Sequence, residues 1–154
     1  MLNLLLLFAA GVILYVGCCP PQQRVEQARP QKVDGWQDKT FSGVHSIAEL
    51  VLTKGETSDN GELGVKVLDI IPGKPCSDGY AGMPKVVLSF FRPSDKKVLC
   101  DEAIFTEGGT SMGTGPPYPH CTPEVGLSAI SVNAINAKEG WVWFDLRKQT
   151  PAPE

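Results

Sequence analysis

The sequence predicts an all-β fold, a small antiparallel β-sandwich that follows an N-terminal hydrophobic segment. Short apolar runs rich in Val, Ile and aromatic residues recur after residue 35, and turn-forming residues separate them. No long amphipathic helical pattern accompanies these runs. Short strands joined by hairpins, without long helices, are typical of an antiparallel sandwich or barrel.

Residues 1–19 form a nearly continuous apolar run, in which the polar side chains are Asn3 and the Tyr15 hydroxyl. As a helix this run would span roughly 28 Å at about 1.5 Å per residue, the low edge of a bilayer core. Three interpretations remain open, namely a lipoprotein signal, a cleaved secretory signal and an uncleaved membrane anchor.

Val16, Gly17 and Cys18 resemble the end of a bacterial lipobox, which implies that Cys18 is the lipidated residue. Tyr15 departs from the aliphatic residue that this motif prefers three positions before its cysteine. No Lys or Arg precedes Arg24, whereas signals usually begin with basic residues. Basic residues follow the run instead, and the positive-inside rule would then favour a cytoplasmic C-terminal domain.

Residues 20–35 are rich in Pro and Gln and lack apolar periodicity, which predicts a semi-extended tether. Residues 36–148 are expected to form the β-sandwich domain, with a short tail at 149–154. The 154-residue chain carries 14 Lys and Arg against 17 Asp and Glu, a formal net charge of −3. Because binding to a nucleic acid backbone requires concentrated positive charge, we expect no nucleic acid partner.

We expect strands at residues 47–53, 64–71, 85–91, 98–106, 127–135 and 141–147, and a shorter one near residues 36–44. Turn chemistry at residues 58–61, 92–96 and 136–140 separates neighbouring strands. Residues 54–72, KGETSDNGELGVKVLDIIP, loosely resemble the opening hairpin of small secreted immunoglobulin-like domains of bacteria. This resemblance implies an immunoglobulin-like or similar sandwich.

Alternation along each strand predicts which side chains face the core. Near residue 66 we expect one face to carry Val65, Val67 and Ile71 and the other Lys66. In the last strand the expected core residues are Val142, Phe144 and Leu146. The opposite, open face then carries Trp141, Trp143, Asp145 and Arg147.

That open face is the candidate binding surface, with Trp141, Trp143 and Arg147 as its binding residues. Exposed aromatic side chains beside charged groups suit a sugar ring or a protein partner. The alternative is that the tether or a loop covers this face, since large aromatic side chains are usually mostly buried.

Cys76, Cys100 and Cys121 are the cysteines of the predicted domain. In an exported domain we expect one disulfide among them, and the sequence leaves its connectivity open. A zinc site is not expected, because no C-x-x-C pair accompanies the two histidines, His45 and His120. We expect no cofactor and no metal.

Ser111 lies in Gly109-Thr110-Ser111-Met112-Gly113, which matches the G-x-S-x-G pattern of α/β-hydrolases. The segment also resembles the sequence around the subtilase serine, and either resemblance implies a nucleophilic Ser111. The mechanism also requires a histidine base and an oriented carboxylate, and no Asp or Glu lies between Ser111 and His120. Gly and Pro in residues 113–119 favour a loop over a following helix, so we expect no catalytic residue.

The sequence therefore predicts a non-catalytic, exported or membrane-tethered module of the cell envelope, with a binding or structural role. The expected partners are the membrane, through the N-terminal segment, and a protein or carbohydrate ligand. The alternatives are a small serine hydrolase that uses Ser111 and a cytoplasmic domain on an N-out anchor.

Overall fold

The structure is a computed structural model that describes residues 27–33, 35–41, 44–74, 82–108, 110–111 and 125–148. The hydrophobic run at residues 1–19 and the tail at 149–154 lie outside the described residues, as do Cys18, Cys76 and Cys121. The described part of the chain is built from β-strands, which confirms the all-β prediction. The strands are β1 (Gly35–Phe41), β2 (Val44–Thr53), β3 (Thr57–Asp59), β4 (Gly64–Ile71), β5 (Lys85–Arg92), β6 (Lys97–Thr106), β7 (Thr110–Ser111), β8 (Leu127–Asn136) and β9 (Trp141–Lys148).

These strands form two sheets with spatial orders β1-β2-β9-β8-β7 and β3-β4-β5-β6. Every neighbouring pair is antiparallel. An immunoglobulin domain joins strands A, B, E and D in one sheet and C, F and G in the other. Here the second sheet is a meander of consecutive strands, so the order of the described strands differs from the immunoglobulin arrangement.

Both sheets contribute inward side chains to one hydrophobic core cluster. Val65 and Val67 from β4, and Phe90 from β5, are completely buried in it. The predicted inward set of β9 is confirmed, because Val142, Phe144 and Leu146 are also completely buried. The opposite face of each sheet is therefore the outer one.

Two short strands fall where the sequence predicted turns or loops. β3 includes Ser58, and the turn begins after it, where the Asn60 side-chain oxygen accepts hydrogen bonds from the N–H groups of Glu62 and Leu63. The pairing of β7 with β8 places Ser111 opposite Ala129. Strands this short carry too little alternation to be recognised from sequence.

A β-bulge in β4 overturns one predicted face. The register with β5 shifts between Val67 and Asp69, so the alternation slips by one residue. Ile70 consequently lies buried, whereas Ile71 is 39% exposed. The expectation that Ile71 shares the core face of Val65 and Val67 is wrong.

Hydrogen bonds connect the two sheets at their sides. Trp36, from edge strand β1, packs against the core cluster and donates its indole N–H to Ser58 Oγ of edge strand β3 at 2.8 Å. Near the other side, the Gly108 N–H that follows β6 donates to the Val132 carbonyl of β8 at 2.9 Å. These hydrogen bonds fix the two sheets relative to each other and so support the outer face of the five-stranded sheet.

Candidate ligand-binding face

The outer face of the five-stranded sheet carries the candidate binding residues in successive rows across the strands. Trp143 lies opposite Val51 of β2 and Ala134 of β8. The next row pairs Asp145 with Glu49 on one side and Ser131 on the other. An apolar row with an indole at its centre therefore borders an acidic row.

Trp143 is half-buried, as the sequence predicted for a partly open side chain. Its indole N–H donates to Glu49 Oε1 at 3.0 Å. This hydrogen bond satisfies the polar edge of the ring and fixes the ring relative to β2. The rest of the indole ring is apolar, and such rings can stack on a ligand.

Trp141 is 1% exposed, so the prediction that it lies partly open is wrong. It begins β9 between Thr53 and Asn136, and its indole N–H donates to Glu139 Oε2 at 2.7 Å. Trp141 is buried, but it does not belong to the main core cluster. Trp141 therefore offers a ligand no open surface.

Asp145 and Glu49 form an acidic pair, because two carboxylates stand directly opposite each other on neighbouring strands. The Asp145 side chain is 22% exposed, and burial raises its pKa above the ordinary value. The charge of Glu49 also raises this pKa, whereas a hydrogen bond from Asn133 and the charge of Arg147 lower it. Asn133 Nδ2 lies 3.3 Å and Arg147 Nη2 lies 3.8 Å from Asp145 Oδ2.

Carboxylates, an amide and a guanidinium therefore meet beside Trp143. Of these groups the sequence singled out Asp145 and Arg147 and missed Glu49 and Asn133. The weak signal for Glu49 was a polar residue between the apolar Ala48 and Leu50. Only the strand register places Glu49 beside Asp145. Glu49 and its hydrogen-bond partner Trp143 are 94 residues apart in the sequence.

An open cleft of about 500 Å³ lies beside this face. Residues 29–31 and Val33 line one side of it, and Val51 lines the other. Because Val51 is the cross-strand neighbour of Trp143, the cleft lies next to the apolar row. The described end of the predicted tether thus borders the candidate face.

Ser111 and His45 are far apart for a catalytic pair. Their strands, β7 and β2, are separated in the sheet by β8 and β9. Three interstrand spacings amount to roughly 14 Å, beyond the reach of a direct serine–histidine hydrogen bond. His45 instead contacts the carboxylate of Asp38 from β1. His120 lies outside the described residues.

Cys100 is completely buried in β6, opposite Phe90, and is not a free thiol. Its predicted partners, Cys76 and Cys121, lie outside the described residues, so the connectivity stays a prediction. Within the described ranges, no group of three or more His, Cys, Asp and Glu side chains is arranged to hold a metal ion. In that same part of the chain, no helix has the length and apolar character needed to cross a membrane.

Comparisons of the chain with protein families, curated proteins and solved structures find no match. The interpretation of the outer face therefore depends on its own geometry. That geometry combines a partly open indole, a row of hydrogen-bonding groups and an adjacent cleft.

Proposed function

We propose that the protein is a non-catalytic, membrane-tethered β-sandwich module of the cell envelope that binds a carbohydrate on the outer face of its five-stranded sheet. The observation that carries this proposal is the half-buried Trp143, held by Glu49 and bordered by polar side chains. Trp143 and Arg147 are the proposed binding residues that remain from the sequence prediction. Trp141 is no longer among the proposed binding residues, because it is buried. Glu49, Asn133 and Asp145 join the set instead.

The chemistry of the face favours a carbohydrate. A sugar ring presents C–H groups that pack on an indole and hydroxyl groups that need donors and acceptors. Glu49 and Asp145 supply hydrogen-bond acceptors, and Arg147 supplies donors. The Asn133 amide supplies a donor and an acceptor.

The test is binding of the full-length chain, held in lipid nanodiscs, to an array of neutral and acidic oligosaccharides. We expect the wild-type chain to bind a subset of glycans and Trp143→Ala to lose that binding. Val98→Ser is the matched control, because Val98 is 51% exposed on the other sheet. It should bind as the wild type does.

Two results would overturn the carbohydrate proposal: no glycan binding by the wild-type chain, or equal binding by Trp143→Ala. If the wild-type chain instead retains a protein partner through Trp143, the ligand class is wrong. Labelling by a fluorophosphonate probe that disappears in Ser111→Ala would refute the non-catalytic assignment and support a serine hydrolase.

The membrane tether is proposed from the apolar run at residues 1–19, with Cys18 as the lipid attachment point in a bacterial source. Cys18→Ser should release the chain from membranes or leave an unprocessed precursor. Unchanged mass and membrane association in this variant would rule out lipidation.

The envelope location is proposed with the domain on the outer side of the membrane. External protease should then digest the domain in intact spheroplasts. A domain that stays protected until the inner membrane is lysed would refute export and support the N-out anchor.

A further inference from the structure

The outer face of the four-stranded sheet exposes large apolar side chains at one corner. Ile104 is 52% exposed, and Ile71 and Met83 are each 39% exposed. The core residues Val86, Leu88, Ala103 and Phe105 fix the inner face of β5 and β6, so Val87 and Ile104 point outward. Solvent-exposed apolar side chains that cluster mark an interaction surface.

The strand register shows that these side chains are neighbours. Val87 lies directly opposite Ile104, and Ile71 lies directly opposite Lys85. Ile71 and Val87 are therefore diagonal neighbours on the same face, a separation that large side chains can bridge. Lys85 lies between these apolar groups.

A close backbone approach adds two more residues to this corner. A Cβ atom built on Gly73 would lie 2.5 Å from the Gly82 carbonyl oxygen, so the chain after β4 packs tightly on the chain before β5. This approach brings Lys74 and Met83, the next residue of each segment, to the same end of the sheet. We define the β4–β5 corner as Ile71, Lys74, Met83, Lys85, Val87 and Ile104.

The charge of this corner is positive. Lys74 is exposed and Lys85 is half-buried. Asp69, opposite Val87, is matched by Lys54, whose Nζ lies 2.6 Å from Asp69 Oδ1. The half-buried Glu107 follows Thr106, the residue opposite Lys85, and it too has an interaction partner. The exposed Asp101 and Glu102 lie beyond Ala103, on the side of Ile104 away from the corner.

We infer that the β4–β5 corner docks on the surface of an anionic lipid bilayer, with its apolar side chains at the headgroup boundary and its lysines on lipid phosphates. This inference rests on the proposed membrane attachment. Apolar side chains combined with lysines are the chemistry that anionic membrane surfaces attract. Residues 20–28, which precede the stretch that lines the cleft, can span up to roughly 30 Å when fully extended, and this is the length available for the domain to reach the bilayer.

A second copy of the chain fits this corner less well. A twofold contact centred on this corner would bring Lys85 close to the Lys85 of its partner, and like charges in a contact are unfavourable. Docking on lipid also keeps the Trp143 face available, because the two outer faces lie on opposite sides of the shared core. The membrane-bound protein would thus present its ligand face away from the bilayer.

The experiment is amine footprinting of the full-length chain in nanodiscs of phosphatidylcholine alone or of phosphatidylcholine with phosphatidylglycerol. We expect Lys74 and Lys85 to be acetylated several-fold more slowly in the anionic discs. Lys148, exposed at the end of β9 in the other sheet, should react equally in both. Mass spectrometry of peptides reports each lysine separately.

Ile104→Ser should remove the protection of Lys85 in anionic discs. Val98→Ser is the matched control, because Val98 is 51% exposed on the same strand but at its other end, and it should keep the protection. Equal labelling of Lys85 in both kinds of disc would overturn the inference. Protection that appears without lipid and grows with protein concentration would instead indicate a second copy.

Co-purification with discs separates this inference from the proposed attachment. A chain that does not co-purify with either kind of disc refutes the attachment. A chain that co-purifies with both but leaves Lys74 and Lys85 fully reactive refutes the docking alone.

Discussion

The indole N–H of Trp143 donates a hydrogen bond to Glu49 Oε1 across the β2–β9 pair, at 3.0 Å and over 94 residues of sequence. The bond joins the N-terminal and C-terminal parts of the chain on the outer face of one sheet. It orients the half-buried ring and places the Glu49 carboxylate beside Asp145. The orientation of the Trp143 ring and the local electrostatics of this face therefore depend on the same contact.

Phe144 and Trp143 should differ in their contribution to stability, because they face opposite sides of β9. Phe144 is completely buried in the core, so Phe144→Ala should cost about 3–5 kcal/mol of unfolding free energy. Trp143→Ala should cost clearly less. Chemical denaturation of both full-length variants measures the difference. An equal loss would show that Trp143 also packs as a core residue.

Asp145 should make folding less favourable as the pH rises. Burial first, and the charge of Glu49 second, raise the pKa of Asp145 above 3.8, so the folded state holds its proton more tightly than the unfolded state. Stability from this group is therefore greatest below the unfolded pKa and decreases as the pH rises through the folded pKa. Asp145→Asn should gain stability relative to the wild type at neutral pH and lose that gain in acid.

NMR titration of the Asp145 carboxyl tests the causes of this shift separately. Glu49→Gln should lower the pKa of Asp145, because it removes a like charge and keeps an oxygen for the Trp143 N–H. Asn133→Ala should raise the pKa, because it removes a hydrogen bond that favours the ionised form. A wild-type Asp145 that titrates at or below 3.8 would contradict the assignment.

Gly64 has no room for a side chain unless the Phe91 ring moves. A Cβ atom there would lie 2.2 Å from Cζ of Phe91, the residue directly opposite on β5. Gly64→Ala should therefore destabilise the fold by about 1–3 kcal/mol, the usual cost of overpacking. The same substitution in a Phe91→Ala background should cost much less. Additive effects in this double-mutant cycle would show that the ring is not the obstacle.

Cys100 should be joined by a disulfide to Cys76 or Cys121. Cys100 is completely buried and is not a free thiol. Closing a loop of this size should stabilise the folded state by roughly 3–4 kcal/mol in the chain-entropy model. Peptide mapping without reductant identifies the partner, and denaturation with and without reductant gives the energy. Alkylation of all three of Cys76, Cys100 and Cys121 in the unreduced, denatured chain would contradict both the disulfide and the exported context.

Local alternation in the sequence was sufficient to predict the positions of most strands. It also predicted which side chains of β9 point inward. Val142, Phe144 and Leu146 follow a strict period of two, and both sheet faces of this strand follow from it. In β4 the same reasoning failed at Ile71. The bulge that turns Ile71 outward is defined by pairing with β5, and a single strand's sequence contains no register.

The all-β class, the approximate strand positions and the outward orientation of Trp143 and Arg147 could all be predicted from the amino-acid sequence. Tertiary structure decided that Trp141 is buried, that Glu49 stands opposite Asp145 and that Ile71 and Ile104 share an exposed corner with Lys85. The reason is that these features depend on contacts between residues that are far apart in the sequence. Alternation reports only which side of its own strand a residue occupies, whereas burial and charge pairing depend on the neighbouring strands, which lie far away in sequence.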